Sequence, residues 1–147
     1  MRRPFVRVAL GAIAVFVLIQ LIPYGRAHDD PSGTREARFA NAGTQRLFDG
    51  ACADCHSDRT TWPLYSNVAP VSWLVQHDVE DGRRRLNLSE WDKPQPDLGE
   101  VQSSILGGGM PPIQYKLLHA GGRLSAAKRR QLSAGFRALF ASRPPGG

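Results

Sequence analysis

Apolar and polar positions divide the chain into one long apolar run and a region of short helical patterns. The run extends from Val8 to Ile22 and is interrupted only by Gln20. Further along the chain, apolar residues recur at the three- and four-residue spacing of helices, and strand-type alternation is scarce. The sequence therefore predicts a mainly α-helical fold, in one small domain that follows an N-terminal hydrophobic segment.

Four segments after the apolar run show the pattern of amphipathic helices. A first helix is predicted from about Thr44 and a second from about Val71. A third covers 97–106 and is stopped by three consecutive glycines. The last is the clearest, because Ser125 is a good N-cap and four apolar side chains then line one face.

The apolar run follows the charge pattern of an export signal. Arg2, Arg3 and Arg7 precede it, and residues 1–27 contain no acidic side chain. Positive residues beside an apolar segment are kept in the cytoplasm. The chain after the run is therefore expected on the periplasmic side of a bacterial inner membrane.

Residues 1–27 are compatible with two fates. The run of 15 residues is long for a signal-peptide core and short of the roughly 20 residues that span a bilayer, although its neighbours make a short transmembrane anchor feasible. Gly25 and Ala27 are small residues at positions −3 and −1 of a possible cut before His28. The segment is thus either a cleaved signal peptide, which gives a soluble periplasmic protein, or an anchor that attaches the protein to the membrane.

The rest of the chain is predicted as a polar tether, 28–43, and a folded domain, 44–143. With 11 prolines and 15 glycines in 147 residues, the domain should consist of short helices joined by loops. A core of this size is marginal without a staple. Outside residues 1–27 the chain holds 15 basic and 13 acidic side chains, which is not the basic footprint of a nucleic-acid-binding protein.

The most specific chemical signal is the pentapeptide Cys52-Ala53-Asp54-Cys55-His56. Cys-x-x-Cys-His is the attachment signature of c-type haem. In a helix, Cys52 and Cys55 share one face, and His56 projects from nearly the same face. The sequence therefore predicts one haem c, attached covalently through the two cysteines, with His56 as an axial ligand of the iron.

Three other interpretations of the cysteines are weaker. A redox Cys-x-x-Cys pair opens a helix within a βαβ pattern, and no strand pattern precedes this one. A zinc site would need His77 or His119 as well, at spacings unlike those of zinc fingers. A simple disulfide remains open, but it does not explain why His56 follows the second cysteine directly.

Met110 is the first candidate for the second axial ligand of the iron. It lies between three glycines and two prolines, and the chain has one other methionine, the initiator. Glycines let the backbone approach a porphyrin closely, and a thioether ligand raises the reduction potential. His119 is the main competitor and would give a low-potential bis-His site. His77 and His28 are weaker competitors.

These segments together resemble the small bacterial haem-binding-domain proteins related to monohaem cytochrome c. The resemblance covers about residues 20–125 and implies an exported or membrane-tethered, cytochrome c-like domain with Met110 as distal ligand. An aromatic and proline-rich stretch, 60–75, is expected to wrap the haem edge. The matching segments are Gln20–Arg26, Ala51–Ser57, Trp62–Ser66, Val68–Val75, Asp78-Val79, Gly82-Arg83, Leu86–Trp91, Met110–Tyr115 and Leu118-His119.

Two positions depart from the pattern of this family. Leu64 stands where a second tryptophan is frequent, and glycines precede Met110 where a polar residue is common. The glycines predict a looser loop and an exchangeable sixth ligand position.

The function expected from these features is one-electron transfer, not enzymatic catalysis. The protein would exchange electrons with periplasmic redox partner proteins through a haem held by His56 and Met110. The alternative is a haem-based gas sensor or a peroxidase-like enzyme with a labile distal site, although no His and Arg pair accompanies Met110 in the sequence. A third possibility is an interaction module in which the haem is only a staple.

Overall fold

The computed structural model of the chain describes residues 2–146. Within that range the chain forms seven α-helices, two 3₁₀ turns (Leu64–Asn67 and Ala120–Gly122) and no β-strand, which confirms the predicted mainly helical class. The helices are α1 (Arg2–Ile19), α2 (Ala42–Ala51), α3 (Ala53–His56), α4 (Val71–Arg85), α5 (Leu98–Leu106), α6 (Ile113–Leu118) and α7 (Ala126–Ser142).

The four periodic segments form helices close to the predicted positions, and side-chain caps set three of their starts. Asn41 accepts a hydrogen bond from the backbone N–H of Thr44, so α2 begins slightly earlier than predicted. Asp97 caps α5, and Ser125 caps α7 as the sequence predicts. Capping of this kind satisfies one of the N–H groups that a helix start leaves unpaired.

The apolar run forms α1, which ends at Ile19, and the backbone then turns over the next three residues. Among residues 2–146, no helix combines the length and apolar character that crossing a membrane requires.

The chain divides into two compact units. The first consists of the residues up to Asp29 together with Trp62–Asp78, and the second of Asp30–Thr61 together with the chain from Val79 onward. In the first unit, the stretch after α1 contacts the aromatic segment: the His28 ring stacks on Trp62 at 4.5 Å between ring centroids.

The second unit contains the main hydrophobic core, which centres on three phenylalanines. Phe39, Phe48 and Phe136 lie with ring centroids 5.0–6.2 Å apart in tilted or edge-to-face arrangements, which suit aromatic quadrupoles. Helices α2, α5 and α7 add further buried apolar side chains to this core: Ala51, Val101, Ile105, Leu132 and Leu139.

Trp91, which is fully buried in this core, is closed over by the end of the chain. Its indole Nε1 donates a hydrogen bond of 2.8 Å to the carbonyl of Arg143. The backbone N–H of Gly146 donates to the carbonyl of Trp91 at 2.9 Å, and Phe140 packs edge-on against the indole. The residues after α7 therefore complete the core instead of trailing from it.

Residues 28–43 are not simply the polar tether that their composition predicts. Residues 35–37 run parallel to 88–91 and share backbone hydrogen bonds of 2.7–3.2 Å with them. Ala37 and Phe39 enter the core of the second unit. The physical reason is local alternation: these two apolar side chains point to one side of an extended segment, and their polar neighbours point to the other. The folded part thus begins before residue 44.

Candidate functional site

The Cys-x-x-Cys-His segment forms a single helical turn of its own. Helix α2 ends at Ala51, and α3 begins after the backbone bends at Cys52. The amide groups of Cys55 and His56 both donate to the carbonyl of Cys52, at 3.1 and 2.9 Å. The sequence predicts a helix that runs continuously into this segment; the bend instead gives the two cysteines and the histidine an orientation independent of α2.

The His56 ring is held by the backbone of α4 and the residue just after it. Nδ1 lies 3.0 Å from the carbonyl oxygens of both Gly82 and Leu86. Carbonyl oxygens only accept hydrogen bonds, so Nδ1 carries the proton and Nε2 keeps the lone pair that a metal requires. Burial lowers the pKa of His56, against the opposing effect of these two carbonyls. A neutral, oriented imidazole is the form that ligates iron.

Gly82 allows α4 to approach the cysteine turn this closely. A Cβ at position 82 would overlap the carbonyl oxygen of Cys55 and lie 2.8 Å from its Cβ. No rotation of a side chain could relieve the backbone overlap. The close contact between Gly82 and the cysteine turn therefore brings the carbonyls of Gly82 and Leu86 within hydrogen-bond distance of His56.

Replacing Gly82 with alanine should destabilise the protein by about 1–3 kcal/mol, the usual cost of overpacking, and should lower the yield of attached haem. Denaturant unfolding and haem staining measure the two effects. Gly50→Ala is the matched control, because nothing lies within 4 Å of a Cβ there and the helix interior favours alanine by roughly 0.5–1 kcal/mol. Equal stability of the two variants would contradict the assigned role of Gly82.

A buried polar network fixes the chain on either side of the turn. Asn87 donates to the carboxylate of Asp58 at 2.7 Å, and Arg83 donates to the carbonyl of Ser57 at 2.9 Å. The carbonyl of His56 accepts the backbone N–H of Leu88 at 2.9 Å. The segment Leu86–Trp91 thus holds the backbone on either side of His56 in place.

Beside the turn, the second unit encloses a cavity of about 820 Å³, part of it open to solvent. Cys52, Cys55, His56 and Met110, the four residues predicted from the sequence, all line it. Most of the wall is apolar, and Arg85, Glu100 and Tyr115 add polar groups. The remaining lining residues are Phe48, Ala51, Leu86, Pro96, Val101, Ser104, Ile105, Pro111, Pro112 and Phe136.

The competing histidines and the aromatic stretch are not among the residues that line the cavity. Of the chain's four histidines, all of them described, only His56 is among the residues that line the cavity. His119 instead stacks on Tyr115, with 4.0 Å between ring centroids. The stretch 60–75 supplies no lining residue. The expectation that it wraps the haem edge stays a prediction.

The loop that carries Met110 is anchored on both sides of the methionine. The N–H of Met110 donates to the carbonyl of Ser104, near the end of α5, at 3.1 Å. Lys116 donates to the carbonyl of Gly108 at 2.9 Å. Gly108 has a φ of +77°, which glycine adopts without strain. The glycines serve a tight, hydrogen-bonded turn, in contrast to the looser loop predicted from them.

The residues of the cavity suit a haem group. Apolar walls would cover a porphyrin, His56 presents a neutral Nε2, and Met110 adds a soft donor. Burial, with a smaller contribution from Cys55, raises the pKa of Cys52 to about 12, so this residue is a thiol at neutral pH until it is modified. Cys52 and Cys55 are not joined in a disulfide.

A zinc site finds no support in the structure. Among residues 2–146, no three side chains of His, Cys, Asp or Glu are grouped so that they could hold a metal ion. The ligands of a structural zinc site would have to form such a group.

Comparison with known proteins agrees with this assignment. The family described as "Haem-binding domain" matches residues 14–138. The chain is also 28% identical over 96 residues to cytochrome c peroxidase Ccp of Escherichia coli (strain K12), a match that covers 60% of this chain and 21% of that protein. The chain therefore spans about a fifth of the length of this relative. The search of solved structures gave no match. Because the family match covers most of the chain, the protein belongs to the haem-binding domain family.

Proposed function

We propose that the protein is a c-type cytochrome that carries one electron at a time outside the cytoplasm. One observation carries the proposal: Cys52, Cys55, His56 and Met110, which are scattered over 59 positions of sequence, line a single, mostly apolar cavity. Two thiols, an imidazole and a thioether together form the donor set of a covalent haem with His/Met ligation.

Each of these residues has a distinct task. The haem, when bound, supplies reversible one-electron chemistry at its iron. Cys52 and Cys55 form the thioether links, and His56 is kept in one tautomer and one orientation by the carbonyls of Gly82 and Leu86. Met110 provides the second donor. The apolar walls would shield much of the bound group from water, which disfavours the more highly charged ferric state and raises the potential.

Export is supported by the arginines that precede the apolar run, since they would hold the start of the chain in the cytoplasm. Haem c is attached outside the cytoplasm in bacteria, so the cysteine motif and the export signal fit one route. The partners in this location would be other redox proteins that accept or supply one electron.

A peroxidase-like activity is the second candidate, and the similarity to cytochrome c peroxidase Ccp favours it. In that case Met110 would have to leave the iron to admit peroxide. Arg85 and Glu100 line the cavity and are the charged groups available to such a reaction. The anchored Met110 loop favours the carrier over this alternative.

Spectroscopy of the purified haem-containing protein separates the two functions. A carrier should show a low-spin spectrum with the far-red Met-to-iron band in the ferric form, no carbon monoxide binding in the ferrous form, and no turnover of hydrogen peroxide. A high-spin spectrum, combined with peroxide-dependent oxidation of a reduced electron donor, would replace the carrier with the peroxidase.

A further inference from the structure

Tyr115 connects the helix after Met110 to the cysteine turn. It lies in α6, which begins three residues after Met110. Its hydroxyl donates a hydrogen bond of 2.7 Å to the carboxylate of Asp54, between the two cysteines. The bond joins residues 61 positions apart and lies at the edge of the cavity that Tyr115 helps to line.

The partners of this hydrogen bond are themselves fixed. The second carboxylate oxygen of Asp54 accepts the N–H of Thr61 at 3.0 Å. The Tyr115 ring stacks on His119 and lies so close to Gly122 that a Cβ there would be 2.7 Å from the ring. Burial, together with the hydrogen bond to Asp54, raises the pKa of Tyr115 above its usual value. The phenol therefore stays protonated and remains a donor.

We propose that the Asp54–Tyr115 hydrogen bond is a positioning contact that holds the Met110 sulfur against the haem iron. The proposal rests on the proposed function. Met110 is anchored on its N-terminal side through Ser104, and Tyr115 provides the corresponding anchor on the C-terminal side. Because Asp54 belongs to the haem-attachment turn, the contact fixes the distal loop relative to the same turn that carries the proximal ligand.

Tyr115→Phe in the full-length haem-containing protein tests the contact, because it removes the hydroxyl and keeps the stacked ring. In Tyr115→Phe, we expect exogenous imidazole to displace Met110 from ferric iron at a concentration at least about tenfold lower than in wild type. A tenfold change corresponds to about 1.4 kcal/mol. The loss of the far-red band reports the displacement. Tyr65→Phe, the same substitution at a residue outside the cavity lining, is the control.

Two further variants at Asp54 test whether the hydrogen bond itself accounts for the imidazole sensitivity. Asp54→Asn retains an oxygen that can accept the phenol, so its imidazole sensitivity should lie between those of wild type and Tyr115→Phe. The double variant of Asp54→Ala and Tyr115→Phe should be no more sensitive than Asp54→Ala alone, because Asp54→Ala already removes the bond that Tyr115→Phe removes.

Two results would overturn the inference in distinguishable ways. If wild type shows the far-red band and Tyr115→Phe is displaced at the same imidazole concentration, the positioning role fails and the proposed function stands. If wild type lacks the band, Met110 is not the ligand, and both fail.

A second, independent inference concerns the stretch between α1 and the second unit. The Gln20 side chain pairs with both backbone groups of Ala69: its Nε2 donates to the carbonyl, and its Oε1 accepts the N–H, each at 3.0 Å. Ala69 is fully buried. Arg26 donates to the same Gln20 oxygen at 3.0 Å. The one polar side chain within the apolar run thus satisfies the backbone of a residue nearly fifty positions away.

Gly25 and His28 show the same close fit within the first unit. Gly25 is buried with a φ of +85°, and a Cβ there would lie 2.5 Å from the carbonyl oxygen of Ser72. His28 has a φ of +53°, a conformation that a residue other than glycine rarely adopts. Its Nε2 lies 3.0 Å from the carbonyl oxygen of Ser66. The family match independently starts at residue 14, inside α1.

We infer that the exported protein is not cut before His28 and that residues 20–28 are a permanent part of its first unit. Cleavage would remove Gln20 and Gly25 and leave both backbone groups of Ala69 without these partners. Buried backbone groups are almost always paired. The small residues at positions 25 and 27 resemble a cleavage site. At position 25, the close contact with Ser72 explains why the residue is a glycine.

The intact mass of the exported, haem-containing protein tests this inference. We expect a chain that starts at or before Gln20; a chain that starts at His28, or anywhere after Gln20, would overturn it. Gln20→Ala should also lower the thermal midpoint, whereas Leu21→Ala, at a neighbouring side chain that is 76% exposed, should not. Equal midpoints for these two variants would show that the stretch contributes nothing to the fold and would equally overturn it.

Discussion

Met110→Ala should abolish the far-red Met-to-iron band and lower the midpoint potential by on the order of 0.1 V or more, within the roughly 0.8 V that axial ligands span. The thioether stabilises ferrous iron, so its loss favours the ferric state. The ferrous form should then bind carbon monoxide, because an axial position is open. Optical spectroscopy and redox titration measure all three effects.

Two substitutions, one that introduces a histidine and one that removes a histidine, complete the Met110 experiment. Met110→His should restore a low-spin spectrum at a potential below that of wild type, because imidazole favours ferric iron more than thioether does. His119→Ala should leave the low-spin spectrum in place, since His119 is not among the residues that line the cavity. The reverse pattern, with the spectrum sensitive to His119 and indifferent to Met110, would establish a bis-His site instead.

Replacing both Cys52 and Cys55 with alanine should eliminate covalently attached haem. Each single variant should retain less than wild type, because one thioether link remains possible. Haem-stained denaturing gels of protein exported together with the attachment machinery measure the loss. Ser103→Ala, an exposed change of similar size on α5, is the control. Full haem staining in the double variant would refute covalent attachment through this motif.

The sequence predicts the site residues better than it predicts how they are supported. Cys52, Cys55, His56 and Met110 have side chains with distinctive chemistry, and the cavity brings all four together. The atoms that orient His56 are backbone carbonyls. A carbonyl belongs to every residue and leaves no trace in the residue types. Gly82 is the one residue type in the sequence that reflects this arrangement, and its role becomes clear only when the fold shows its contact with the cysteine turn.

The fold was predictable where a helix is long and amphipathic, as in α5 and α7. Helix α6 has six residues, starts after two prolines and buries no side chain fully, so it has no apolar stripe to detect. Ala37 and Phe39 lie in a stretch that is polar on average, so their burial is not evident from the sequence. Their burial depends on the pairing of this stretch with residues 88–91. These are long-range contacts, which local periodicity does not encode.

The closure of Trp91 by the end of the chain has a consequence for biogenesis. A chain that leaves the cytoplasm N-terminus first delivers the cysteine turn about ninety residues before Gly146. Until the last residues emerge, the indole N–H and carbonyl of Trp91 lack their partners, and α7 cannot cover the core. If haem is attached during export, as the proposed function requires, the two thiols would stay accessible to the attachment machinery until α7 covers the core, and the fold would then close around the attached cofactor.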